Sequence, residues 1–229
     1  FSCDGQASVT VTSVPAPAIP NQTTTICSGT AFSVTPVNGV PTAATIVPTG
    51  TTYSWPAPVV TGGITGGSAS SGQTSISQTL TNPSTTARTA TYTVTATAPG
   101  STACTSTFTV TVTVNPTPTV NAVANRAAVC SGTAAAAINF VSNVALATFD
   151  WTSTADVGFG TSVTGNIAAY TALNTSNSPV TATVSVTATA NGCTGPVQTF
   201  TVAVDPMPEV TIEADYCTNA PKITLTAKP

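Results

Sequence analysis

TSTFTVTVTV, residues 105–114, places an apolar side chain at every second position over most of its length and threonine or serine between them. Successive side chains of an extended chain point to opposite faces. Phe108, Val110, Val112 and Val114 therefore share one face, and Thr107, Thr109, Thr111 and Thr113 the other. One face suits a core and the other water, which is the pattern of a half-buried strand. The run TYTVTATA at 91–98 behaves alike, with Tyr92, Val94 and Ala96 opposed to Thr91, Thr93, Thr95 and Thr97. Thr, Ser, Val and Ala dominate the whole chain, whereas Leu, Glu and Lys, the usual helix formers, are scarce. The expectation is an all-β protein.

Working outward, the same landmarks occur twice in the same order. CSGTA at 27–31 is followed by Tyr53-Ser54-Trp55, Ile76 with Leu80, the TYTVTATA run, Cys104, Phe108 and the Val114-Asn115-Pro116-Thr117-Pro118 segment. CSGTA at 130–134 is followed by Phe149-Asp150-Trp151, Ile167 with Leu173, TVSVTATA at 183–190, Cys193, Phe200 and Val204-Asp205-Pro206-Met207-Pro208. The second pair of strands is joined by Asn191-Gly192, a strong hairpin signal because both residues tolerate positive φ. About seven short strands per repeat fit this spacing, with Trp55 and Trp151 packed between two sheets as in an immunoglobulin-like sandwich. The organisation read from the landmarks is 1–14 as the last strand of a preceding repeat, 15–115 and 116–206 as whole repeats, and 207–229 as the start of a following one. Alternating prolines at 15 and 17, 116 and 118, and 206 and 208 favour stiff extended linkers, so the repeats are expected to string into an extended rod.

Composition excludes several function classes. Only 5% of residues are charged, four basic against seven acidic, so no electrostatic footprint for nucleic acid or an anionic membrane exists. No apolar run approaches the roughly 18–20 residues of a spanning helix, so no membrane insertion is expected in this segment. Histidine is absent and no C-x-x-C pair occurs, so neither a metal site nor a cofactor is implied and no triad can be assembled. Asp150 with Asp156 is the nearest mid-repeat carboxylate pair, and it has no counterpart in the first repeat; both read as hydrogen-bonded strand and loop residues. Glu209, Glu213 and Asp215 cluster after a linker where calcium could stiffen a junction, but the other proline segments lack such carboxylates and solvated charge is the simpler account. The glycine-rich stretch at 62–67 has no P-loop lysine and reads as a flexible surface loop. Asn21-Gln22-Thr23 and Asn174-Thr175-Ser176 match the glycosylation sequon, a common chance match. The Thr-x-Thr ladders suit a solvated strand face better than a flat ice-binding array, which a twisted sandwich does not offer.

C-S-G-T, an aromatic-x-Trp strand, a T-x-T-V-T-A-T strand, a Cys-led final strand and a V-N-P-x-P linker together resemble the PKD-like, immunoglobulin-type repeats of large Bacteroidota surface proteins. Such repeats occur in the adhesins of gliding bacteria, exported by type IX secretion. The resemblance implies tandem β-sandwich repeats serving as a non-catalytic stalk of a secreted, cell-surface adhesin or filament, for gliding or attachment. Its partners would be neighbouring repeats and an external surface or glycan. The chain departs from ordinary PKD domains after the tryptophan, where Pro56-Ala57-Pro58 and Thr152-Ser153-Thr154 stand in place of a Phe-Gly-Asp-Gly turn. The alternative is an accessory spacer or carbohydrate-binding module of a large secreted enzyme. That reading requires exposed aromatic platforms, for which Phe159 and Tyr170 are the candidates, since Tyr53, Trp55, Tyr92, Phe108, Trp151 and Phe200 fall on core faces.

Six cysteines, an even number, point to disulfides in an oxidising compartment. Each whole repeat owns two, and the preferred pairing is within the repeat, Cys27–Cys104 and Cys130–Cys193, because each repeat then folds alone. The rival holds if Cys27 lies at the far end of its strand from the hairpin, beyond the ~7 Å Cα limit of a disulfide. In that geometry the cysteine of one repeat meets the hairpin cysteine of the next, giving Cys27–Cys193. With the within-repeat pairing, Cys3 and Cys217 are expected to take partners outside this segment.

Overall fold

The computed structural model describes residues 13–100, 104–215 and 222–228. The chain divides into two compact units, Phe1–Pro116 and Thr117–Pro229. Unit 1 contains β1 (Gln22–Cys27), β2 (Thr30–Val34), β3 (Thr52–Trp55), β4 (Val59–Val60), β5 (Ser70–Gln73), β6 (Ile76–Leu80), β7 (Arg88–Thr97) and β8 (Thr105–Asn115). Its larger sheet has the order β1-β8-β7-β3-β5, with β4 also on β7, and its smaller sheet pairs β2 with β6. Unit 2 repeats the plan with β9 (Arg126–Cys130), β10 (Ala134–Ala135), β11 (Thr148–Ser153), β12 (Ser162–Thr164), β13 (Tyr170–Thr171), β14 (Val180–Ala190), β15 (Cys193–Thr194) and β16 (Gln198–Asp205). Its larger sheet runs β12-β11-β14-β16-β9, with β15 also on β14, and β10 pairs β13 opposite it. A hairpin of β17 (Glu209–Asp215) and β18 (Lys222–Lys228) follows, Glu209 opposite Lys228 and Asp215 opposite Lys222 in register.

Each unit is a β-sandwich whose long hairpin carries the alternating runs. In β8 the buried apolar positions are Phe108, Val110, Val112 and Val114, while the threonines between them stay exposed or half-buried. Burying a side chain of this size contributes roughly 1.5–3 kcal/mol. The opposing residues of the first core include Phe32, Ile76 and Leu80 from the smaller sheet, and those of the second include Ile138, Phe140 and Ile167. Tyr53, Trp55, Tyr92, Phe108, Trp151 and Phe200 are all buried. In unit 2 the hairpin closes through Asn191 and Gly192 at φ 51° and 76°, with Ala190 facing Cys193, the primed turn geometry that matches strand twist.

One local expectation needs correction, and one landmark differs in burial between the repeats. The 62–67 stretch is no loose surface loop: Ile64 is 6% exposed and joins the core, and Thr65 exchanges two backbone hydrogen bonds with Thr81. Leu173, aligned by sequence with Leu80, is exposed. Ala172 takes the buried place beside Ile138 and Ile167. Leu173 lies two residues past β13 (Tyr170–Thr171), outside the paired backbone that would fix its facing. No helix among the described residues is long and apolar enough to cross a membrane.

Candidate functional site: the repeated strap and its cysteines

The repeated pentapeptide sits where the chain crosses from one sheet to the other. β1 runs parallel to β8, ending with Cys27 opposite Asn115. The next amide, Ser28 N–H, donates to the Asn115 carbonyl at 2.8 Å, still in the larger sheet, and the one after it, Gly29 N–H, donates to the Leu80 carbonyl at 2.8 Å in the smaller sheet. Unit 2 does the same: Ser131 N–H donates to Asp205 at 2.9 Å and Gly132 N–H to Ala172 at 2.8 Å. Turning between sheets within two residues requires positive φ, and Gly29 and Gly132 sit at 81° and 88°. Thr30 Oγ1 closes the first turn by donating to the Cys27 carbonyl at 2.7 Å, and Thr133 N–H donates to that of Cys130 at 3.1 Å. The positive φ accounts for the recurring glycine, and in the first turn the hydroxyl accounts for the threonine.

The serine of each strap holds an asparagine latch. Asn82 N–H donates to Ser28 Oγ at 2.9 Å, and Asn82 Nδ2 donates to the carbonyls of Thr86 and Val114, each at 2.8 Å. Its Oδ1 accepts from the Ser84 amide and hydroxyl. Asn174 repeats every part: its amide donates to Ser131 Oγ, its Nδ2 to Ser178 and Val204, and its Oδ1 accepts from Ser176. Both asparagines are nearly buried, at 6% and 9% exposure. The Asn174 amide is thus committed to two carbonyls and is not presented for glycosylation. The signal available in the sequence was recurrence, since Asn82-Pro83-Ser84 stands two residues past Leu80 as Asn174-Thr175-Ser176 stands two past Ala172. Asn21 is also structural, its Oδ1 accepting from Thr109 N–H as Asn125 accepts from Thr201.

The cysteines fall into two positional classes. Cys27 and Cys130 face Asn115 and Asp205 at the end of the unit where its last strand finishes. Cys104 and Cys193 lie across the hairpin from Ala98 and Ala190, at the opposite end. Ten residue steps along β8 separate the two ends, roughly 33 Å at ~3.3 Å per residue, several times the reach of a disulfide. The within-repeat pairings Cys27–Cys104 and Cys130–Cys193 are accordingly absent: Cys27 and Cys193 are disulfide-bonded, whereas Cys104 and Cys130 are free thiols. The strand register meets the far-end condition on which the rival pairing rests. Cys3 and Cys217 lie outside the described residues.

The remaining candidates are spent on structure. Asp156 Oδ1 accepts from the amides of Gly158 and Gly160, each at 2.8 Å, and these bonds hold its carboxyl below the usual range. Asp150 lies in β11, paired with Thr164 and Thr187, and no group of three metal-ligating side chains occurs among the described residues. Glu209, Glu213 and Asp215 lie on β17 opposite Lys228, Thr224 and Lys222. Phe159 and Tyr170 do not form a coplanar platform: both are half-buried, their rings meet edge-on at 4.9 Å and 80°, and Phe159 stacks in turn on Trp151.

No curated protein matches the chain. Among solved structures it is similar to protocadherin gamma B2 extracellular cadherin domains 3–6 (12% identity, 93% of this chain and 55% of that one, TM-score 0.40). It is also similar to mouse cadherin-23 EC22–24 (13%, 86% and 67%, TM-score 0.37) and to sidekick-1 immunoglobulin domains 1–4 (14%, 88% and 53%, TM-score 0.29). The chain thus spans little more than half of the protocadherin fragment. Residues 24–118, which run from β1 through the end of β8, match the family described as PKD-like domain.

Proposed function

We propose that the chain is a non-catalytic structural segment, serial PKD-like repeats forming the stalk of a secreted cell-surface adhesin or filament used in attachment or gliding. The observation that carries this reading is the strap and latch built twice from the same residue types, Ser28 with Asn82 and Ser131 with Asn174. What the two units share is a device for tying two sheets together, as expected of a spacer whose role is to persist under load. PKD-like domains are typical of extracellular adhesion or spacer repeats, and disulfide-bonded Cys27 and Cys193 fit an oxidising, extracellular setting. Neighbouring repeats are its partners, and type IX secretion is its route. The edge-on, half-buried Phe159 and Tyr170 weigh against the carbohydrate-binding alternative.

The test is surface labelling of the source cells. An antibody against the chain is expected to stain intact cells and to lose its signal after brief protease shaving. Staining only after permeabilisation overturns the reading, as does catalytic turnover that a single substitution within 15–206 abolishes.

A further inference from the structure

Each positional class of cysteine contains one bonded and one free member: Cys27 against Cys130 at the end of the first strand, Cys193 against Cys104 at the hairpin. Cys27 and Cys130 both end a strand parallel to the last one, and Cys104 and Cys193 both lie across the hairpin from an alanine, so this placement alone does not decide whether the sulfur is bonded. Residues 15–115 contain only Cys27 and Cys104, and residues 116–206 only Cys130 and Cys193. With Cys104 and Cys130 free, the disulfides of Cys27 and Cys193 each leave their own repeat. Both classes are therefore positions from which a repeat bonds outward. Cys130 is exposed and Cys104 half-exposed, so both thiols are open to a partner.

We propose that Cys104 and Cys130 are covalent docking points for further PKD-like repeats, a first-strand cysteine bonding the hairpin cysteine of the repeat that follows. The proposal rests on the serial-repeat reading above. The complementary pairing follows from chain direction within a unit. Because β1 runs parallel to β8, the chain arrives at the hairpin end and leaves, after Asn115 or Asp205, at the end carrying Cys27 or Cys130. Serial repeats bring an outgoing end to an incoming end, hence a first-strand cysteine to a hairpin cysteine, and not two of one class together. Cys130 would take the hairpin cysteine of a following repeat, and Cys104 the first-strand cysteine of a preceding one.

The bond requires an oxidant, and a small-molecule disulfide supplies it. The Cys130 thiolate attacks oxidised glutathione, releasing one glutathione thiolate and leaving a mixed disulfide. The Cys104 thiolate of a second molecule attacks the Cys130 sulfur and expels the second glutathione. Two protein thiols are oxidised, one protein S–S bond forms, one glutathione S–S bond breaks, and the two protons pass to the released glutathiones or solvent.

A second copy of the chain serves as the following repeat. The full chain, with Cys3→Ser and Cys217→Ser and a thiol titration of two showing that Cys27 and Cys193 stay bonded, is incubated with oxidised glutathione and resolved on a non-reducing gel, with peptide mapping of each band. The expected product is a ladder of head-to-tail oligomers in which Cys104–Cys130 peptides exceed Cys104–Cys104 and Cys130–Cys130 together by about tenfold, as matched ends raise the effective concentration of the correct pair. Cys104→Ser and Cys130→Ser each abolish the ladder. Mixed and like pairs in statistical proportion, or glutathionylated monomer alone, overturn the proposal. Either result leaves surface staining untouched, so the two readings fail separately.

Discussion

Trp55 and Trp151 occupy matching strands and are buried alike, at 4% and 3% exposure, yet only Trp55 has a partner for its indole N–H. In unit 1 the indole donates to the Ser68 carbonyl at 3.1 Å, Gln78 Nε2 donates to the same oxygen at 2.8 Å, and the Tyr92 hydroxyl donates to Gln78 Oε1 at 2.9 Å. Burial pushes the Tyr92 phenol up to about 12, keeping it a donor throughout the neutral range. Unit 2 replaces this polar network with an aromatic stack, Trp151 edge-on to Phe159 at 5.6 Å and Phe159 edge-on to Tyr170 at 4.9 Å. Trp151 Nε1 remains buried and unpartnered. The sheet-crossing amides and the asparagine latch at the strap end, by contrast, make the same bonds in both units. The ends of the repeat are thus held to one solution, while its middle admits two.

The strongest test of that division falls on the latch. Asn82→Ala and Asn174→Ala each delete two side-chain hydrogen bonds, one of them the buried bond to the Val114 or Val204 carbonyl, and each is expected to destabilise its own unit by about 2–4 kcal/mol. Hydrogen exchange of the β7 amides reads unit 1 and that of the β14 amides reads unit 2. Equal losses in the two units sharpen the comparison. A latch that matters in only one of them breaks it.

The latch also shows how far the sequence could be read. Alternation in 91–98 and 105–114 was enough to give the long strands and their core faces, because every second residue carries the same instruction over many positions. Burial was not legible at Leu173, which lies past the end of the two-residue β13, where no alternation runs. The cysteine pairing turned on a single topological fact, that β1 runs parallel to β8 and so carries Cys27 away from the hairpin. No local pattern encodes that choice. Asn174 read as a sequon because its meaning lies in Ser131, 43 residues earlier, and in Val204, 30 later.

A smaller effect separates the tryptophans. Trp55→Phe removes a hydrogen bond and indole volume, whereas Trp151→Phe removes volume but also relieves a buried, unsatisfied N–H. The penalty at Trp55 is expected to exceed that at Trp151 by about 1–2 kcal/mol, the scale of one buried donor. Amide exchange in β7 and β14 again measures each unit. Equal penalties would mean that the indole bond to Ser68 contributes nothing net.

The smallest expected effect is confined to unit 2, because Asp156 has no acidic counterpart in the first repeat. Its carboxylate accepts from the Gly158 and Gly160 amides and so shapes the loop that places Phe159 on Trp151. Those bonds favour the ionised form, so the folded pKa lies below the unfolded value of about 3.9. A depressed carboxyl contributes stability that is fully present above the unfolded pKa and is lost as the pH falls through the folded one. Unit 2 should therefore weaken on acidification below about pH 4 by this route, while unit 1 gains no such dependence. Asp156 is exposed, so solvent keeps the effect small. Denaturation followed by the single remaining tryptophan resolves it: Trp151 in a Trp55→Phe background reports unit 2, and Trp55 in a Trp151→Phe background reports unit 1. Asp156→Asn retains an acceptor oxygen but cannot titrate, so it should flatten the difference in acid slope between the units. An acid slope in unit 2 that survives Asp156→Asn would assign the dependence to another carboxyl and leave the Asp156 loop without a part in it.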